Sequence, residues 1–124
     1  MNNIQYDTSH TGLQTVFFDW QVKLLKVVWA NNGGLKSALA HEKVSATLGS
    51  ESISRASVIN FLADMRELGV LRGEEVTGKG GYHWVYYPAM DEADFKRFIA
   101  STLIESLMRG FPSETEAAIS KLGL

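Results

Sequence analysis

Between Ile53 and Pro88 the pattern of apolar and polar positions changes period. Val58, Phe61, Leu62, Met65 and Leu68 recur at spacings of three and four. That spacing gathers them on one face of a helix. Ser54 offers a hydroxyl to the unpaired amides of its first turn, and Gly69 falls just past its end, where a left-handed conformation costs glycine little. The pattern then becomes extended. Val70-Leu71-Arg72 reads as a short strand, Thr77 to Gly81 as a flexible basic hairpin tip, and Tyr82 to Tyr87 as an alternating aromatic strand that stops at Pro88.

The flanking segments are helical. Val16, Trp20, Leu24, Val27 and Val28, widened by Phe17, Leu25 and Trp29, predict a largely buried helix from about Gln14 to Ala30. Asn31-Asn32-Gly33-Gly34 ends it. A second helix is expected from Ser37 to Leu48, with Leu39, Ala40, Val44, Thr47 and Leu48 inward and Gly49 as its stop. After the hairpin, Asp91 caps a helix whose apolar positions are Phe95, Phe98, Ile99, Leu103 and Leu107, closed by Gly110 and Pro112. Ser113-Glu114-Thr115-Glu116 reads as a capping box opening a last helix through Ile119 and Leu122.

This order predicts a mainly α protein with a small β-wing (α+β): a winged helix-turn-helix domain over residues 13–90, a flexible polar lead-in over 1–12, and a helical dimerisation tail over 91–124. The tail has an apolar stripe and little of its own to bury it against. Phe95, Phe98, Ile99, Leu103, Leu107, Ile119 and Leu122 are therefore the candidate contacts of a homodimer, the commonest oligomer.

In a helix-turn-helix the second helix enters the major groove with its N-terminal residues on base edges, and the first crosses the backbone. Rotating each residue by ~100° puts Ala56, Asn60, Ala63 and Glu67 opposite the apolar face, with Arg55 and Ser57 in the first turn. Ser54, Arg55, Ala56, Ser57 and Asn60 are thus the candidate DNA-reading residues. Asn60 suits an adenine edge, and Arg55 suits guanine or phosphate. Lys36 and Lys43 are candidate phosphate contacts from the preceding helix, and Lys79 and His83 from the wing. An amphipathic helix with a polar outer face is commonly just a solvated surface helix. The wing makes the combination more specific.

Composition adds bounds. The 124 residues carry 45% hydrophobic and 21% charged side chains, ordinary for a folded domain. The net charge is −2, and residues 1–90 hold eight basic and eight acidic groups, so any electropositive surface must come from local arrangement. There is no cysteine, hence no disulfide or thiolate metal site. No apolar run approaches the ~20 residues that span a bilayer, and the first residues lack the pattern of a secretion signal. A cytoplasmic protein with no membrane contact is expected. His10, His41 and His83 show no metal-ligand spacing. No nucleophile elbow, phosphate loop or dinucleotide fingerprint is present. No enzyme, metal or cofactor is expected.

Several stretches resemble the BlaI/MecI penicillinase-repressor family of winged-helix regulators. They are the first helix ending Val27-Val28-Trp29, the segment Ser54-Arg55-Ala56-Ser57-Val58, Glu67-Leu68-Gly69-Val70-Leu71, and Gly81-Tyr82-His83-Trp84-Val85-Tyr86-Tyr87-Pro88, followed by the acidic tail start at Asp91. The resemblance covers roughly Trp20 to Leu122. It implies a homodimeric repressor on palindromic operators, dimerised through its C-terminal helices. The family usually has a Ser-Thr pair where Ala56-Ser57 stand, an aromatic at Arg55, and an arginine where Tyr82 follows the wing glycine. With no cysteine, and no Asn after Asn60, neither the copper response nor the Asn-Phe cleavage of family members is expected. The rival expectation is a winged-helix protein-interaction module that does not bind DNA. A ligand-sensing variant would use a pocket lined by Trp84, Tyr86 and Phe95.

Overall fold

The structure is a computed structural model and describes residues 5–78 and 81–124. It is an α+β chain of five α-helices and one three-stranded antiparallel sheet. The elements are α1 (Asp19–Ala30), β1 (Leu35–Lys36), α2 (Ser37–Thr47), α3 (Arg55–Glu67), β2 (Leu71–Gly78), β3 (Gly81–Pro88), α4 (Glu92–Gly110) and α5 (Pro112–Lys121). The chain divides into two compact units, Met1–Asp91 and Glu92–Leu124.

The core of the first unit forms where the three helices meet the sheet. Leu24, Leu25 and Val28 of α1, Ala40 and Val44 of α2, and Val58, Phe61, Leu62 and Met65 of α3 are all buried. Phe61 anchors the cluster. Its ring meets Phe17 edge-on at 6.0 Å and Trp20 at 5.6 Å between centroids, a favoured aromatic arrangement. Leu35, Leu71 and Tyr86 close the core from the sheet.

Several expected boundaries move. The first helix starts at Asp19, not Gln14, after a 3-10 turn at Gly12–Thr15. The contiguous run Val16-Phe17-Phe18 carries no period, so helix and non-helix look alike there. In the structure Phe18 is extended, and its amide donates to Oε1 of the buried Gln21 at 2.8 Å. That bond satisfies an amide at the helix entrance. The polar lead-in is hydrogen-bonded to the segment before α1 over its described part. It doubles back, with the Gln5 amide donating to Val16 O at 2.6 Å and the Asp7 amide to Thr15 O at 2.8 Å.

Leu39, expected inside α2, is 42% exposed, and Thr47 is exposed too. Small Ala40 and Val44 carry the contact instead, because they let α2 approach its neighbours closely. β1 is only two residues long, too short to leave a periodic signature.

β2 runs eight residues rather than three. Its polar sequence Arg-Gly-Glu-Glu-Val-Thr has weak strand propensity on its own. Pairing with the aromatic β3 supplies the rest, in continuous register from Leu71↔Pro88 to Gly78↔Gly81. Thr77 and Gly78 thereby belong to the strand and not to the tip.

In the second unit, α5 begins at Pro112 with Phe111 at the N-cap position. The expected capping box at Ser113 does not form. Proline at the first helical position has its φ preset and lacks the amide that would go unbonded. The Thr115 hydroxyl donates to Phe111 O at 2.8 Å. Phe95 and Ile99 are buried, whereas Leu103, Ile104, Leu107, Phe111 and Leu122 are exposed. Among the described residues no helix is long and apolar enough to cross a membrane.

Candidate nucleic-acid interface

α3 is held at both ends. At its start, the Ser57 amide donates to Ser54 Oγ at 3.0 Å, and the Ser54 hydroxyl donates to Ser57 Oγ at 2.9 Å. Ser54 is therefore spent on the cap, and Ser57 is half-buried beside it. Just upstream, His41 Nε2 on α2 lies 2.8 Å from Ile53 O. A carbonyl only accepts, so Nε2 carries the proton. This bond ties α2 to the segment that leads into α3.

The outward face of α3 is then defined by what its residues do not touch. Arg55, Ala56, Ile59 and Asn60 are exposed. Among the described residues, Arg55 and Asn60 make no hydrogen bond or ion pair. Ala56, Ile59, Asn60 and Ala63 are spaced as one stripe along the helix, with Ala63 half-buried at its far edge. The stretch from Arg55 to Ala63 holds no acid, and Asp64 and Glu67 come only in the last turns. Ile59, 40% exposed, went unnoticed in the apolar pattern because it flanks the core face. Its position beside Ala56 and Asn60 was the available signal.

At the other end, α3 is clamped to the hairpin. The Arg66 guanidinium carbon sits 3.9 Å from the centre of the Trp84 ring, a cation–π contact. The Trp84 ring stacks in turn on Tyr86, 6.4 Å between centroids. Gly73 makes room for this arrangement. A Cβ there would lie 2.8 Å from Arg66 Cδ and 3.0 Å from Trp84 Cε3. Tyr86 is 2% exposed, and its burial raises the phenol pKa above the ordinary value, an effect that the nearby Arg66 charge opposes.

Alternation puts the remaining hairpin residues on the opposite sheet face. Lys36 pairs with Val85, which pairs across with Glu74, so these three form one row. Arg72 lies 4.6 Å from the Tyr87 ring centre and 3.9 Å from Glu74. His83 pairs with Val76 on this face. Its Nε2 is enclosed and has no hydrogen-bond partner among the described residues. Lys79, the expected wing-tip contact, lies outside the described residues.

The expected site residues thus separate into groups. Arg55, Ala56 and Asn60 share the exposed start of α3. Lys36 and His83 belong to the sheet. Lys43 lies on another flank of α2, in a groove shared with Lys23 and Lys26 of α1. Two residues beyond His41, it is turned ~200° around the helix from the side that meets Ile53. Of the aromatics considered for a ligand pocket, Trp84 and Tyr86 are engaged with each other and with Arg66. Among the described residues, no group of three or more His, Asp or Glu side chains is placed to hold a metal ion.

No protein-family model, curated protein or solved structure matches the chain.

Proposed function

We propose that this chain is a winged-helix, sequence-specific DNA-binding regulator, a homodimeric repressor of BlaI/MecI type acting on a palindromic operator. One observation carries the proposal. The N-terminal half of α3 presents Arg55, Ala56, Ile59 and Asn60 outward with no acid in that stretch, and Arg55 and Asn60 make no hydrogen bond or ion pair among the described residues, on a helix fixed by its Ser54 cap and its Arg66 clamp. In this reading α2 and α3 are the helix-turn-helix, β2 and β3 are the wing, and α3 lies in the major groove. Asn60 hydrogen-bonds an adenine edge and Arg55 a guanine or a phosphate, while Ala56 and Ile59 pack on thymine methyl groups. Lys36 and His83, which belong to the sheet and not to the start of α3, are with Lys79 the phosphate-backbone contacts of this reading.

Leu103, Ile104, Leu107 and Phe111 of the second unit are exposed, and an apolar stripe of this kind supports a two-fold dimer. A dimer places two copies of α3 about one DNA turn apart. It also doubles the small number of phosphate contacts that a neutral domain can make.

The test is substitution. Arg55→Ala and Asn60→Ala each weaken operator binding by about 1–3 kcal/mol and relax base preference at the contacted position. Affinity and preference unchanged in the double variant would remove α3 as the reading element. The balance of eight basic and eight acidic groups over residues 1–90 favours one rival, a winged-helix module that binds protein. The arginines covering Trp84 and Tyr87 count against the hairpin aromatics as its docking surface.

A further inference from the structure

The turn between α1 and β1 carries a chemistry that DNA reading does not use. It reads Asn31-Asn32-Gly33-Gly34 and contains the only Asn-Gly step of the sequence. The Gly34 amide donates to Asn31 O at 3.0 Å, which makes Asn32 and Gly33 the central residues of the turn. Both are exposed. Among the described residues, the Asn32 side chain and the Gly33 amide make no hydrogen bond. Nothing lies within 4 Å of where a Cβ on Gly33 would stand, so the space beside it is open. The other described asparagines are held. Asn31 donates from Nδ2 to Val27 O at 2.7 Å. Asn60 lies within α3, where helical hydrogen bonds fix the backbone on either side of it.

A backbone nitrogen that follows asparagine can attack the side-chain carbonyl. Glycine is the residue that best lets it approach, because it has no Cβ and the widest choice of φ and ψ. The Gly33 nitrogen gives its proton to solvent base and bonds to Asn32 Cγ. The Cγ–Nδ2 bond breaks, ammonia leaves, and a succinimide ring is closed. Water then opens the ring at either carbonyl. One opening gives aspartate, and the other gives isoaspartate, whose main chain runs through the former side-chain carbonyl. Water is consumed and ammonia released, with no oxidant or reductant.

The place of the turn gives this reaction a consequence. Gly34, at φ +113°, is pressed against β3: a Cβ there would lie 2.8 Å from Tyr87 Cε2 and 2.9 Å from Val85 Cγ1. Next to it Leu35 is buried and pairs with Tyr86, and Lys36 pairs with Val85. Isoaspartate adds a methylene to the main chain of this short link. It also places a carboxylate just beyond the C-terminal end of α1, where the helix dipole disfavours an anion. We propose that Asn32-Gly33 is a site of spontaneous deamidation, and that isoaspartate at position 32 loosens β1 from β3. The site lies wholly within the first unit, and the proposal holds whether or not the chain binds DNA.

The experiment incubates the full chain at neutral pH and physiological temperature and follows each asparagine by peptide mass spectrometry, with fragment ions that distinguish isoaspartate from aspartate. Conversion is expected at Asn32, with Asn31 and Asn60 intact, and it should quicken with rising pH because the amide must lose its proton. Gly33→Ala should slow it by about tenfold or more, since a Cβ hinders the attack and narrows the backbone freedom. The Gly33 φ is outside the left-handed region and the added methyl meets nothing within 4 Å. An unchanged circular dichroism spectrum and Tm establishes that this variant is folded. In the isoaspartyl fraction, separated by chromatography, the β1 amides should exchange hydrogen faster than in the parent, while those of α3 should not. The proposal is overturned if Asn32 stays intact in the folded chain or if Asn60 converts as fast. It is equally overturned if folded Gly33→Ala converts at the parent's rate, or if the β1 amides of the isoaspartyl fraction exchange as in the parent.

Discussion

Removing the charge of Arg66 while keeping its stem tests how the hairpin is oriented on α3. The guanidinium carbon lies 3.9 Å from the Trp84 ring centre, and both side chains are half-buried. A cation–π contact contributes about 0.5–1 kcal/mol when exposed and about 2 kcal/mol when desolvated. At intermediate burial the expected coupling is about 1 kcal/mol. Arg66→Met retains most of the aliphatic packing over Gly73, and Trp84→Leu removes the ring. A double-mutant cycle then isolates the pair from the packing that each partner makes elsewhere. The assay is urea unfolding followed by tryptophan fluorescence. Trp20, Trp29 and Trp84 all belong to the first unit, so the signal reports that unit alone, and the Trp84→Leu variants keep two reporters. Coupling below about 0.3 kcal/mol, within the usual additivity of independent sites, would refute the clamp. Gly73→Ala is the companion perturbation. Its new methyl would meet Arg66 Cδ at 2.8 Å and Trp84 Cε3 at 3.0 Å, and overpacking of this kind costs about 1–3 kcal/mol. Arg66→Met should relieve part of that cost.

The cap and the buried phenol give two further tests. Ser54→Ala should lower stability by about 1 kcal/mol and Ser54→Gly by a few tenths, read from urea midpoints; equal stability of parent and Ser54→Ala would show that the bond to the Ser57 amide contributes nothing. Burial holds the folded pKa of Tyr86 above its ordinary value of 10.0. The folded state therefore keeps this proton longer than the unfolded chain. Its contribution is fully present below pH 10 and is lost as pH rises through the folded value. Tyr86→Phe should flatten the loss of stability above pH 10, and an unchanged alkaline slope would rule out the buried phenol as a cause.

What the sequence made legible follows from how far each signal extends along the chain. α3 was legible almost to the residue, because Ser54, a regular apolar face and Gly69 mark its two ends and its buried side independently. The start of α1 was not, since Val16-Phe17-Phe18 is contiguous and the bond that decides it comes from the Gln21 side chain. β2 was cut short because its strand character comes from cross-strand partners in β3 and not from its own residues. Within the site, Ala56, Asn60 and Glu67 are exposed as the helical rotation predicted, Ala63 is half-buried, and Arg55 of the first turn is exposed beside Ala56. Ser54 was expected both to cap α3 and to read DNA, and its hydroxyl is engaged in the cap. The Arg66–Trp84 clamp and the grouping of Lys43 with Lys23 and Lys26 are long-range contacts that no spacing rule encodes.

Sequence-specific DNA binding is tested most directly by titrating the full chain against duplex DNA from its own upstream region and against a scrambled duplex, at several salt concentrations. A sequence-reading α3 binds the native duplex more tightly, with two chains per site. The log–log salt slope should be shallow, reflecting the few phosphates a neutral domain can contact. The Arg55→Ala/Asn60→Ala variant should lose the preference between the two duplexes. Equal affinity of the parent for both, or no binding to either at low salt, would contradict a sequence-reading α3.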